Sequence, residues 1–94
     1  MIVRILSEGQ WTVDEAALPE LNEIDSALEA AVANGDQQAL TAALATLLDR
    51  VRTLGEPVPD EVLAESDLIL PEGDASLDEV RGLLADNPGG LVPD

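Results

Sequence analysis

Residues 1–15, MIVRILSEGQWTVDE, decide the fold class of this 94-residue chain. Residues 2–6 are mostly β-branched or aliphatic, as expected of a β-strand, and a short polar turn that ends at Gly9 follows them. Residues 10–13 alternate between polar and apolar side chains, which places Trp11 and Val13 on one face. The stretch predicts a β-hairpin, and we expect Trp11, the only aromatic residue of the chain, to lie in the core or at its edge.

The residues after the hairpin have the periodicity of a helix. Asp14 is predicted to be an N-cap. Pro19 fits the first turn of the main helix, so residues 15–18 are expected to form an irregular lead-in between the two. Leu21, Ile24, Leu28, Ala31 and Val32 recur at helical spacing and predict the buried face. The acids Glu20, Glu23, Asp25 and Glu29 lie outside this apolar stripe, so we expect them to face solvent.

A second helix is predicted directly after the turn Asn34-Gly35-Asp36. Gly35 suits the left-handed end of the first helix and Asp36 caps the second, so the two helices should form an antiparallel hairpin. The apolar stripe of the second helix runs from Leu40 to Leu54, and Gly55 ends the helix. Its opposite side carries the small residues Thr41, Ala42, Ala45 and Thr46, where charged residues are usual. One explanation is that alanine favours helix formation; the other is that this side is a surface that another helix can approach closely.

The last third of the chain contains a linker, a strand and a helix. Residues 56–61, EPVPDE, are predicted to be an acidic linker, and a short helical turn is expected near Val62-Leu63. Residues 67–70 predict a brief strand ended by a proline. Ser76 and Glu79 form a capping box for a last helix with the buried stripe Leu77, Val80 and Leu84. Residues 87–90 should stop this helix, and residues 91–92 could return as an edge strand.

These elements predict an α+β fold in a single small acidic domain that covers residues 1–94. A small antiparallel or mixed sheet is formed by the N-terminal hairpin and the strand near residues 67–70. The helical hairpin and the C-terminal helix pack against this sheet, since each element has one apolar face to bury.

Charge is the strongest compositional signal. Twenty acidic residues face four basic ones, all arginine, which gives a net charge of −16. Such a surface repels nucleic acid and anionic lipid and suits a basic protein partner. Histidine, cysteine, tyrosine and lysine are absent from the sequence, which removes most of the usual nucleophiles and general bases. No apolar run is long enough to cross a bilayer and no signal-peptide pattern opens the chain, so we expect a cytoplasmic protein.

Adjacent carboxylates occur where helices are predicted to begin, at Asp14-Glu15, Asp60-Glu61 and Asp78-Glu79. Paired carboxylates can act as acid and base or bind metal, but capping and the helix dipole explain them at these positions. Residues 71–79, PEGDASLDE, carry four carboxylates near one turn, yet their spacing does not match a calcium loop. We therefore assign no catalytic, cofactor-binding or metal-binding residue.

Five stretches resemble the PspA-associated protein family: MIVRILSEGQW (1–11), LNEIDSALEAAV (21–32), VRTLGEPVPDEVL (51–63), SDLILPEGDASLDEVRGLL (66–84) and GGLVP (89–93). The most specific part is SDLILP followed by an acidic turn and LDEV. The family takes its name from genes adjacent to PspA, the coiled-coil phage shock protein that protects the inner membrane under envelope stress. The resemblance implies a cytoplasmic accessory of that system and brings no catalytic residues with it.

The sequence thus predicts a non-enzymatic protein-interaction module. Its expected role is that of an adaptor or regulator of a PspA-like assembly, recruited to the inner face of the membrane through its partner without inserting into the bilayer. The candidate partner-binding residues are Ala42, Ala45 and Thr46 on the second helix and Glu20 and Glu23 on the first. The small-residue side also predicts a homodimer. Two alternatives stay open: a nucleic-acid mimic that occupies a basic cleft, and a calcium-binding module built on residues 74–79.

Overall fold

The chain combines a mixed β-sheet with α-helices, as predicted. The computed structural model describes residues 1–59, 61–62, 65–86 and 91–92. The elements follow in the order β1 (Ile2–Ile5), β2 (Gly9–Thr12), a 3-10 turn (Glu15–Ala17), α1 (Leu18–Ala33), α2 (Gln37–Leu54), β3 (Glu56–Pro57), β4 (Leu68–Leu70) and α3 (Leu77–Asp86). The α+β class, the N-terminal hairpin, the strand near residues 67–70, the helical hairpin and the C-terminal helix are confirmed.

The sheet has the strand order β3-β2-β1-β4. Strand β1 pairs with β2 in antiparallel register, with Val3 opposite Trp11, and with β4 in parallel register, with Val3 opposite Leu68. Val3, Leu68 and Leu70 are buried on the face that packs against the helices. Trp11 lies on this face too and is partly buried against the core, which confirms a place at the core edge.

Ser66, in the connection from β3 to β4, lies against the outer face of the sheet. Both strands run in the direction of β1 and lie at opposite edges, so the chain must pass from one edge to the other. Gln10 and Arg4 lie opposite each other on the outer face. The Ser66 hydroxyl accepts a hydrogen bond from Gln10 Nε2 at 2.8 Å and one from Arg4 Nε at 3.4 Å. These contacts hold Ser66 on the side of the sheet that faces away from the helices.

The helical hairpin turns where the sequence predicts. Gly35 has a φ of +66°, the left-handed conformation that glycine adopts without strain. The Asp36 carboxylate caps α2 by accepting a hydrogen bond from the Ala39 N–H at 3.1 Å. At the same end of α2, Gln37 Oε1 accepts the Leu77 N–H at 2.9 Å, so α3 begins beside the first turn of α2.

Two positions in the helices differ from the prediction. Asp25 is only 2% exposed, because Leu21, Asp25, Leu28 and Val32 form a continuous buried stripe of α1. Its Oδ2 accepts a hydrogen bond from the Val92 N–H at 3.3 Å. Leu54, predicted as part of the core, is 39% exposed. It is the last residue of α2 and lies at the end of the helical hairpin, where its side chain is only partly covered.

Two predictions for the irregular segments were also wrong. Residues 56–57, predicted within a linker, form the short edge strand β3. Pro57 is tolerated there because a residue of an edge strand can lack a backbone N–H donor on its outer side. Residues 91–92, predicted as an edge strand, are buried but form no strand; the Val92 N–H donates to the Asp25 carboxylate. The helical turn predicted near Val62-Leu63 and the helix stop at residues 87–90 involve positions outside the described residues.

Gly55 provides a test of how closely α2 approaches the sheet. A Cβ there would lie 2.8 Å from the Val51 carbonyl oxygen and 3.0 Å from both Trp11 Cβ and Val13 Cγ2. We expect Gly55→Ala to lower the free energy of unfolding by about 1–3 kcal/mol, because the well-packed strand must move. Gly82→Ala in α3 is the matched control, since nothing lies within 4 Å of its Cβ position. This change should stabilise the protein by roughly 0.5–1 kcal/mol. Urea denaturation measures both values, and equal effects of the two changes would contradict the prediction.

Candidate functional site

The small residues predicted as a contact surface are exposed on the outer side of α2. Ala42, Ala45 and Thr46 all face solvent. The Thr46 hydroxyl donates to the Ala42 carbonyl oxygen at 3.0 Å within the same helix. Because this hydroxyl already has its partner, a docking helix would meet mainly methyl groups and would not have to strip a polar group of water.

The predicted acidic residues lie beside this surface. Glu20 belongs to the first turn of α1, and its Oε2 accepts a hydrogen bond from Arg50 Nε of α2 at 2.6 Å. This bond is the main reason that the pKa of Arg50 is raised above its ordinary value, and the Glu20 charge adds to it. Glu23 follows Glu20 by one helical turn, and Thr46 precedes Arg50 by one turn, so both lie on the side of the ion pair. Glu20 is thus brought to α2 by direct contact.

A groove lies at the end of the helical hairpin, where Leu54 is exposed. It consists of two adjoining depressions of about 490 and 320 Å³ that share Leu54 and Asp14, and we call it the Leu54 groove. Its apolar lining is Met1, Val13, Ala16, Ala17 and Leu54. Its carboxylates are Asp14, Glu15, Glu20 and Glu56. The larger depression lies toward the sheet and the smaller one toward α1.

The carboxylates of the groove differ in what they contact. Asp14 Oδ1 accepts the Ala16 N–H at 2.9 Å and so caps the 3-10 turn, as the sequence predicts. Glu20 is held by Arg50. Among the described residues, the side-chain carboxylates of Glu15 and Glu56 accept no hydrogen bond and form no ion pair. The amino group of Met1 lies in the same groove and donates to the Val13 carbonyl oxygen at 2.9 Å. Two carboxylates of the groove therefore remain available to an incoming cation.

A second ion pair joins α2 to the hairpin of the sheet. Arg52 Nε donates to Glu8 Oε1 at 2.7 Å, and a second guanidinium nitrogen contacts Glu8 Oε2. The hydrogen bond from Arg52, with a smaller contribution from its charge, lowers the pKa of Glu8, although burial opposes the shift. The pair connects residues that are 44 positions apart, so it links the β1–β2 turn to the end of α2.

The calcium alternative receives no support from the geometry. Within the described part of the chain, no three Asp or Glu residues lie close enough together to hold a metal ion. Glu72, at the start of the candidate loop, accepts a hydrogen bond from the Ser7 hydroxyl at 2.9 Å. The Ser76 hydroxyl accepts the Glu79 N–H at 3.2 Å, which is the predicted cap of α3.

Sequence reasoning missed the Leu54 groove. Leu54 was assigned to the core by periodicity, and Glu56 to a linker. One local signal was available: Leu54 is the last apolar residue before Gly55, and the final turn of a helix often extends past its neighbours. The approach of residues 13–17 to Leu54 depends on the tertiary fold, so no local pattern could have brought these residues together.

The Glu8–Arg52 pair predicts a pH-dependent contribution to stability. Because the pKa of Glu8 is lowered in the folded state, the contribution is complete above the pKa of an unfolded glutamate, about 4.3, and is lost as the pH falls through the folded value. The pair is partly exposed, so Glu8→Gln should cost only about 0.2–1 kcal/mol at pH 7 and close to nothing at pH 2–3. Urea denaturation at both pH values measures this. Glu65→Gln, at an exposed carboxylate, is the control; a Glu8→Gln effect that is equal at both pH values would contradict the assignment.

Comparison with known proteins places the chain in a family. No helix in the described part of the chain is long and apolar enough to span a membrane. No curated protein and no solved structure gives a significant match. The family model described as PspA-Associated protein matches residues 1–94. The match covers the whole sequence, and the chain therefore belongs to the PspA-associated protein family.

Proposed function

We propose that this protein binds PspA directly and acts as an adaptor or regulator of a PspA assembly at the cytoplasmic face of the membrane. The observation that carries the proposal is the match of the family model over residues 1–94. An accessory role with PspA follows from the family, and the adaptor or regulator role is our inference from the surface of the molecule.

The distribution of charge supports binding through a protein partner. Three of the four arginines are engaged with acids of the same chain, in the pairs Arg50–Glu20, Arg52–Glu8 and Arg81–Asp78. Arg4 donates to Ser66. Little positive charge is left to attract anionic lipid, whereas the net charge of −16 attracts cationic segments. We therefore infer that the membrane is reached through PspA.

The outer side of α2 is the proposed contact surface for a PspA helix. Ala42, Ala45 and Thr46 permit close approach because their side chains are small, and Glu20 and Glu23 flank them with negative charge. A long charged helix can place apolar residues on the small side chains and basic residues beside the two glutamates. Complementary rim charges mainly accelerate association and set its orientation.

The first experiment measures PspA binding by surface plasmon resonance, with PspA from the same organism. We expect wild-type protein to bind and Ala45→Arg to weaken binding by roughly tenfold or more, because a long charged side chain prevents close helix contact. Ala85→Arg, at an exposed alanine of α3, is the matched control and should bind like wild type. Thermal melting should show that both variants remain folded. No binding by the wild-type protein would refute the proposal.

The alternatives are tested with the same material. Capture of a nucleic-acid-binding protein in place of PspA, from cells in which membranes are kept intact, would favour the nucleic-acid mimic. Calorimetric titration with Ca²⁺ tests the calcium-binding module. The predicted homodimer should appear in light scattering as a mass that rises with protein concentration. Repulsion between two chains that each carry a net charge of −16 would make the dimer weak at low salt.

A further inference from the structure

We propose that the Leu54 groove binds a cationic amphipathic helix of a partner protein. The inference rests on the proposed function in one respect, namely that the natural occupant is expected to belong to PspA. The groove and the outer side of α2 share Glu20, but Leu54 belongs only to the groove and Ala45 only to the outer side of α2, so substitutions at these two positions test the surfaces separately.

The groove leaves an apolar side chain uncovered. Leu40, Leu44, Leu47 and Leu48 of α2 are at most 1% exposed, whereas Leu54 in the final turn is 39% exposed. Leu54 lies among the apolar atoms of Met1, Val13, Ala16 and Ala17, which continue its surface to either side. An aliphatic side chain from a partner would cover Leu54 and gain about 25 cal/mol for each Å² of apolar surface removed from water.

The shape of the groove fits two side chains of one helix. Its depressions adjoin at Leu54 and Asp14, one toward the sheet and the other toward α1. Residues separated by three or four positions on a helix lie about 5–6 Å apart on the same face, so one helix can place an aliphatic anchor in each depression.

The charge of the groove selects a cationic occupant. The side-chain carboxylates of Glu15 and Glu56 have no partner among the described residues, and both line the larger depression. Leu54 is also the end of an 18-residue helix, whose last carbonyl groups carry a negative partial charge. The two cationic groups nearby are already bound, the Met1 amino group to Val13 and Arg50 to Glu20. Arginine or lysine residues flanking the aliphatic anchors would therefore find acceptors.

The same charges argue against two other occupants. A second copy of this chain carries −16, and its own arginines are bound to its own acids in three of four cases. An anionic lipid headgroup would meet four carboxylates at the groove. Both would add repulsion where a cationic helix adds attraction.

The direct test uses a designed helical peptide with leucines at positions i and i+4 and arginines on either side of them. Trp11 lies next to Gly55 and next to the lining residues Thr12 and Val13, so its fluorescence is a native probe of this site. Binding is measured by that fluorescence and by amide chemical shifts. We expect the shift changes to cluster at residues 12–17 and 54–56. A peptide in which the leucines are replaced by serine is the control for charge alone.

Substitutions separate the apolar and the charged contributions. We expect Leu54→Asp to weaken peptide binding by roughly tenfold or more, and Glu56→Lys by about three- to tenfold with a reduced dependence on salt. Glu79→Lys makes the same charge change in α3, whose first residue, Leu77, contacts Gln37 at the opposite end of the roughly 27 Å helix α2. It should leave binding nearly unchanged. Equal losses in Glu56→Lys and Glu79→Lys would mean that net charge alone acts, and would overturn the site.

The same variants with PspA distinguish the two proposals. If wild-type protein binds PspA and Leu54→Asp reduces this binding, the groove is part of the PspA contact. If wild-type protein binds PspA and Leu54→Asp binds as tightly, the groove assignment is overturned while the proposed function stands. If wild-type protein does not bind PspA, the proposed function fails, and the peptide decides the groove independently. No shift changes at the groove with millimolar peptide would overturn the inference.

Discussion

The close contact of α2 with strand β2 at Gly55 is the constraint on which the arrangement of the molecule depends. Val51, Trp11 and Val13 surround this position so tightly that any side chain there would force its neighbours to move. Gly55 is the one residue between the end of α2 and β3, and Glu56 and Pro57 after it pair with β2. The helical hairpin is thereby fixed against the sheet. The exposure of Leu54 follows from the same contact, because the helix ends where the sheet begins.

The chain has only four basic side chains for twenty acidic ones, and the positions of the arginines determine which acids are paired. Two of the four arginines, Arg50 and Arg52, lie in the last turns of α2, where a positive charge also suits the helix dipole. They connect this end of the helix to Glu20 of α1 and to Glu8 of the β1–β2 turn. Each exposed pair contributes only about 0–1 kcal/mol, so the aliphatic core must supply most of the stability. Most of the other acids in the described part of the chain are exposed and form a negative surface, which favours cationic partners and disfavours anionic ones.

Local signals in the sequence predicted the elements whose causes are local. The caps at Asp14, Asp36 and Ser76 form as expected, since each depends on a side chain and an N–H within three residues. Strand β3 escaped prediction because two residues carry no periodicity and their pairing comes from β2. Asp25 was misplaced because a carboxylate is rarely buried, and its contact with Val92 lies 67 positions away. The candidate surface on α2 was predicted, whereas the Leu54 groove is assembled from three separate segments.

Glu20 belongs both to the Leu54 groove and to the neighbourhood of the α2 surface, since it lines the smaller depression and binds Arg50. The Glu20–Arg50 pair is exposed, so an arginine from a partner could take the place of Arg50 at little cost in free energy. Such an exchange conserves the number of ion pairs and gives no selectivity by itself. Selectivity among cationic helices must then come from the apolar contacts, at Leu54 in the groove and at Ala42 and Ala45 on α2. Charge would bring a partner to this end of the molecule, and the fit of its aliphatic side chains would decide whether it stays.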